Sequence, residues 1–346
     1  MFMAAGVGAF FVSVFHLVTH AFFKACLFLG SGSVIHGMEE VEHDLEARGH
    51  DTSDFDPQDM RTMGGLGAYM PSTRTTYLLA TLAISGIPLT AGFFSKDEIL
   101  FKAFEYGYGG GQTYALVVWG VGVITAILTA FYMMRSYMLT FEGEPRWPEA
   151  EAVTPHESPS TMTGPLWALG LLSMVGGFIG LPAVIQDGKW NWIHHYLGAK
   201  YGGPVAEVSG AGHVPPALEW GLILLSSAIA VGTVYYAWRA YTAQGLAFDA
   251  VVKRRFRGLY RVWADTYYWD DFYDRVVVDT LINGIGRKGL APFDDVVVDG
   301  AVNGVADTAQ NASGLLRRVQ TGIVQNYALA LVLGTVLVIG LMLFGI

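Results

Sequence analysis

The sequence predicts an all-α integral membrane protein of about six transmembrane helices, two of them long and broken, plus one long amphipathic lateral helix. Three observations predict it. Hydrophobic residues make up 52% of the 346 residues and charged ones only 15%, against about 25% charged in an ordinary soluble domain. The mean hydropathy is +0.39. The apolar runs are long and lack the alternation of half-buried strands.

Composition also excludes several classes. Cys26 is the sole cysteine and lies in the first apolar run, which rules out an internal disulfide and any multi-cysteine iron–sulfur or zinc centre. Net charge is −9, with acid crowding residues 39 to 59 and Lys and Arg crowding 253 to 261. Neither cluster suggests nucleic acid. No flavin or nicotinamide motif is present, so no cofactor and no metal are expected. The N-terminus lacks the basic start of a secretory signal and reads as a chain beginning mid-bundle.

The first run, to about residue 37, carries SVFHLVTHAFFKACLFLGSGSVIH at residues 13 to 36. His16, His20 and Lys24 recur at i, i+4 and i+8, so they share a stripe within about 80° of an ideal helix. Ser13 and Ser31 fall on it too. An ammonium in hydrocarbon costs roughly 2.5 to 3.5 kcal/mol, so such a stripe faces a bundle interior or water rather than lipid. Imidazole and a desolvated lysine both exchange protons near neutral pH, as a proton relay requires. The alternative is three structural polar groups, each satisfied by a neighbouring helix.

A polar acidic stretch then runs from Glu39 to about Gly67. Its His43 and His50 match no metal-ligand spacing and read as part of a solvated loop.

The second run, 74 to 106, contains ISGIPLTAGFFSKDEIL, where Pro88 removes a backbone donor and breaks the helix. Such breaks are tolerated where backbone lines a cavity. Lys96 follows by about 12 Å of helix rise, and we expect it to exchange protons with the His16, His20, Lys24 row through water. Asp97, next in sequence, faces elsewhere, toward another helix or subunit. Glu98 and Lys102 read as a surface pair.

Runs at 113 to 141, 162 to 186 and 214 to 243 carry few ionisable groups and read as scaffold, with Gly170, Gly176, Gly177 and Gly180 suited to close packing. With loops at 38 to 73, 142 to 161 and 244 to 317 on one side, that side collects most of the 21 basic residues. The opposite loops hold Lys102, Lys189 and Lys200. The richer side is therefore assigned to the cytoplasm.

Residues 247 to 317 are too polar to span and read as interfacial helix. Trp263, Tyr267, Tyr268, Trp269 and Tyr273 mark its start. VVVDTLING at 276 to 284 recurs as VVVDGAVNG at 296 to 304, with Gly286, Gly289 and Pro292 placed where a break would reset the helical phase. A last run, 318 to 345, returns to the membrane. The expected domains are 1–243 for the membrane helices, 244–317 for the amphipathic element and 318–346 for the final anchor.

With HLVTHAFFKACLFLGSGSVIH, DPQDMRTMGGL and ISGIPLTAGFFSKDEIL, the chain resembles the C-terminal half of the antiporter-like L subunit (subunit 5) of NADH:quinone oxidoreductase, respiratory complex I. The resemblance implies half-channels joined by a row of Lys, His and water. Within it His16, His20 and Lys24 match the central row, Lys96 the terminal lysine and Asp97 its acidic neighbour. It further implies a multi-pass chain of the cell inner (plasma) membrane, non-redox itself, whose partners are the lipid bilayer and the other membrane subunits of complex I, contacted through a lateral helix at 264 to 316. The family's subunit carries about ten further helices, with the first half-channel, that nothing here replaces. Two other readings stay open: the large subunit of a multisubunit cation/proton antiporter, and a chain acting only as a structural clamp.

Overall fold

The computed structural model describes residues 1–182, 189–201, 214–319 and 321–344. All regular structure among them is helical. The chain forms two units, residues 1–254 and 255–346.

The first unit contains α1 (Phe2–Gly6), α2 (Phe10–Ala47), α3 (Pro71–Ser85), α4 (Ala91–Tyr108) and α5 (Thr113–Phe141). It continues with α6 (Ser160–Val175), α7 (Trp192–Tyr201), α8 (Pro216–Gln244) and α9 (Leu246–Arg255). Four of these are long and apolar enough to cross a membrane: α2, α5, α6 with its tight extension to Ile179, and α8. The expected span at 74 to 106 is the broken pair α3 and α4. Residues 183 to 186, the end of the expected fourth span, and the side chain of Lys200 lie outside the described residues.

The two over-long runs resolve differently. The second breaks, as expected. The first is interrupted only at Val7–Ala9, after which α2 runs unbroken to Ala47. At 1.5 Å per residue α2 is about 57 Å long, nearly twice the ~30 Å hydrocarbon core, so it projects. The acidic stretch read as loop from Glu39 therefore begins as two further turns of helix, because Glu, His, Asp and Leu there break no helical rule.

One end of the unit gathers the chain segments at 48–70, 142–159 and 245–249. Arg48 and His50 reach Glu149 at 3.5 and 2.9 Å, Arg74 reaches Glu142 at 2.7 Å, and Arg135 reaches Asp249 at 3.2 Å. Glu157 caps α3 by accepting from the Ser72 amide at 2.6 Å and the Thr73 hydroxyl at 2.7 Å, as a carboxylate does at a helix N-terminus. These contacts fix the alternating direction of the spans. Between them Phe23, Leu27, Tyr77, Met133 and Phe141 form the core shared by α2, α3 and α5. Gly177 allows close approach, since a β-carbon there would stand 2.7 Å from the Ala91 backbone.

The second unit starts with α10 (Arg257–Ala264). Thr266, Tyr267 and Tyr268 then turn left-handed, with φ of 49°, 57° and 60°, inside the aromatic cluster that marks the start of the amphipathic element. From there residues 269–319 are helical throughout (α11), wound more widely, in π form, over Tyr273–Leu290 and Asp294–Val298. No break occurs at Gly286, Gly289 or Pro292. The wider winding changes the angular step instead, and Pro292 sits in the short α-helical stretch Ala291–Phe293. The last helix, α12 (Val324–Phe344), is the fifth of membrane-crossing length and buries no residue within the chain.

Candidate functional site

The site is built on the break between α3 and α4. Gly86 ends α3 in the left-handed region with φ 77°, and Leu89 follows at φ 70°. Thr90 then starts α4, its hydroxyl oxygen accepting from the Phe93 amide at 3.4 Å. Gly92 keeps the two segments close, since a β-carbon there would collide with the Ala83 carbonyl. In an unbroken helix the carbonyl of Ile84 would take the amide proton of residue 88, but Pro88 has none. The Lys96 ammonium supplies it instead, donating to Ile84 O at 3.3 Å. A largely buried charge thereby gains an acceptor, and a buried helix end gains a donor.

Beside Lys96, Ser95 ties α4 to α2. His16 Nδ1 lies 3.0 Å from Ser95 Oγ, and the Thr19 hydroxyl donates to the same oxygen at 2.8 Å. Ser95 also has the Ala91 carbonyl within 3.2 Å. Its single proton can therefore point to Ala91 or to His16, and each choice selects a tautomer of the imidazole. Thr19 and Ser95 are fully buried. The three groups thus have two hydrogen-bond arrangements, which interconvert by rotation of one hydroxyl.

His16 and Lys96 border one groove, whose other wall is Val117, Val121 and Thr125 of α5. Lys96 also borders a second cavity of about 50 Å³ with Ser85, Asp97, Trp119 and Ser226, several times the space one water centre occupies. So Lys96 borders two spaces, the groove and the cavity. Asp97, on the border of the same cavity, accepts a hydrogen bond from the Ser226 hydroxyl of α8.

The rest of the row is looser. The rings of His16 and His20 are 5.7 Å apart, and His20 stands edge-on to Phe23 at 5.4 Å. Lys24 Nζ lies 5.9 Å from the ring of Phe28, which is 73% exposed, so Lys24 opens onto an uncovered face rather than toward Lys96. Among the described residues no three His, Cys, Asp or Glu side chains are gathered closely enough to hold a metal.

Sequence reasoning missed the uncharged members: Thr19, Ser85, Ser95, Ser226 and the Ile84 carbonyl. The pair Ser226–Ser227 inside apolar α8 was the available signal for one of them.

Residues 1–131 match the family described as NADH:quinone oxidoreductase/Mrp antiporter, TM. NAD(P)H-quinone oxidoreductase chain 5 of Picosynechococcus sp. is 40% identical, over 97% of this chain and 49% of its own length. NADH-quinone oxidoreductase subunit L of Mycobacterium tuberculosis is 35% identical over 98% of this chain and 48% of its own. F(420)H(2) dehydrogenase subunit L of Methanosarcina mazei is 33% identical over 97% and 47%. The chain thus spans about half the length of the curated relatives it matches.

Proposed function

We propose, from the match of residues 1–131 of this membrane protein to the NADH:quinone oxidoreductase/Mrp antiporter transmembrane family, that the chain is the C-terminal part of a proton-translocating subunit of a quinone oxidoreductase complex. Its own role is non-redox. Protons held by His16 and His20 pass through the Ser95 hydroxyl and the shared groove to Lys96, and leave by way of its second cavity, with Asp97 as the neighbouring carboxylate. Redox chemistry elsewhere in the complex supplies the energy by changing charge and hydration along the row. The names of the relatives differ in electron donor, one being an F(420)H(2) dehydrogenase. That variation fits a subunit which never touches the donor.

The observation that carries this reading is the placement of Lys96, a buried ammonium on the border of two cavities and held by a carbonyl that Pro88 leaves open. The exposed face beside Lys24 and Phe28 receives, in this reading, the remaining helices of the subunit. Residues 264 to 316 run along neighbouring membrane subunits, and the complex sits in the plasma membrane. The deciding experiment measures quinone-linked proton translocation by the assembly in vesicles, with wild-type chain and with Lys96→Ala. Loss of translocation is expected, and wild-type translocation refutes the proposal.

The family description also covers Mrp antiporters, which supports a second reading as part of a cation/proton antiporter. Sodium-driven proton movement without any electron donor is the outcome that selects it.

A further inference from the structure

A second polar line leaves the Lys96 cavity in the opposite direction to His16. On α3, Arg74, Tyr77, Thr81 and Ser85 recur at i, i+3, i+7 and i+11, within about 80° of one another and over about 16 Å of rise. Each sits at a successive depth. At the loop end the Arg74 guanidinium donates to Tyr137 Oη at 3.1 Å and to Glu142 at 2.7 Å, and the Tyr137 hydroxyl donates to Glu142 at 2.7 Å. One turn deeper Tyr77 Oη and Ser136 Oγ are 3.2 Å apart. Deepest, Ser85 borders the cavity of Lys96 and gives its proton to the Thr81 carbonyl at 2.7 Å.

Thr81 lies between these levels and is fully buried. Among the described residues, its Oγ1 is the buried side-chain oxygen or nitrogen without a hydrogen-bond partner. A hydroxyl left unpaired in a dry interior costs free energy that an apolar residue of the same shape would not, and an ordered water is one partner that accounts for such a group. Ser85 and the cavity it borders lie one turn from it toward Lys96, and the Tyr77–Ser136 pair one turn from it toward the loops.

We propose that Thr81 binds water and carries a second proton path, from Lys96 along the α3–α5 seam to the Arg74–Glu142 end of the unit. The inference rests on the proposed function of Lys96 and adds to it an access route on the loop-bearing side. Protonated Lys96 breaks one N–H bond and gives the proton to a water in its cavity. Each water or hydroxyl along the seam accepts one proton and releases its own, so each keeps its composition but is left with its hydrogen bonds reversed and turns back before the next passage, while Lys96 is left neutral. The proton emerges at the Glu142 carboxylate.

The test uses the intact assembly from the native membrane, reconstituted in phospholipid vesicles and driven by its own electron donor, with T81V, T81S and K96A variants. T81V keeps the shape and removes the hydroxyl. Translocation slowed by roughly tenfold in T81V, restored in T81S, and no rise in the thermal midpoint of T81V are the expected results. Wild-type translocation by T81V with a silent K96A overturns the second path alone. A raised midpoint in T81V identifies a dry, unpaired hydroxyl and overturns it as well. Wild-type translocation by K96A overturns the function on which it rests.

Discussion

The Lys96 ammonium stands 3.3 Å from the carbonyl oxygen of Ile84, twelve residues earlier, where an unbroken helix would have placed the amide of residue 88. Pro88 and Lys96 are therefore two halves of one device. The first opens an acceptor in the membrane interior and the second fills it. Replacing Pro88 by Ala returns an amide donor to Ile84 and leaves the ammonium to seek water. Pro88→Ala is expected to slow proton translocation by roughly tenfold while the assembly still forms. Native-gel migration together with vesicle acidification measures both, and translocation at the wild-type rate would show that the carbonyl contact is incidental.

Leu89 carries the strain of the same break. Its φ of 70° suits glycine, its side chain is 65% exposed, and so little packing offsets the cost. Leu89→Gly is expected to stabilise the first unit by about 1 kcal/mol, the usual penalty of a left-handed residue with a side chain. A thermal midpoint equal to or below wild type would refute this.

How much of this was legible in the sequence depended on charge and on proline. His16, His20, Lys24, Lys96 and Asp97 stand out because ionisable groups are rare in apolar runs, and Pro88 announces the break. Their partners are invisible from sequence because they are uncharged and remote. Ser95 lies 79 positions from His16 and Ser226 lies 129 positions from Asp97. A lone Ser or Thr in an apolar run is ordinary, since its hydroxyl can satisfy itself on the preceding turn, as Ser173 does on Leu169 at 2.7 Å. Periodicity likewise gave the common stripe of Lys24 and His16 but not that Lys24 would open onto Phe28. Nor does composition separate a helix that projects, as residues 39–47 do, from a polar loop.

Asp249 ties the end of α8 to α5, and its response to acid is a test of that end of the unit. Burial pushes its carboxyl upward, but hydrogen bonds from Arg135 and Tyr241 outweigh it and hold the group below the usual carboxylate range. A carboxyl lowered in the folded state adds stability above its unfolded value, and that contribution is lost as pH falls through the folded value. The thermal midpoint of wild type should therefore drop as pH falls below about 4, and Asp249→Asn should show a smaller drop. Asp249→Asn should also lose about 2 kcal/mol at neutral pH, because Arg135 is left without its charged partner. Identical acid profiles for the two proteins would contradict the pairing.

Cys26 offers a probe of the packed face of α2. It is fully buried, with Sγ 3.5 Å from the Thr76 carbonyl and 3.6 Å from that of Leu166. Because it is the sole cysteine, labelling reports this one site. A maleimide should fail to label the folded protein in detergent and should label it fully after denaturation. Rapid labelling under native conditions would mean that α2, α3 and α6 do not close around it.

Ser226 is the partner that the apolar look of α8 conceals, and its removal separates a scaffolding helix from a working one. The hydroxyl donates to Asp97 inside the cavity that Lys96 borders, so it stabilises the ionised carboxylate beside the lysine. Ser226→Ala removes one hydrogen bond of ~1 kcal/mol from the Asp97 carboxylate. If Asp97 exchanges protons, translocation in Ser226→Ala should change its pH dependence. Ser226→Thr should restore the wild-type profile, since it keeps the hydroxyl. A scaffold role predicts something else, a lower thermal midpoint with an unmoved pH profile, and that result would remove Asp97 and α8 from the proton path.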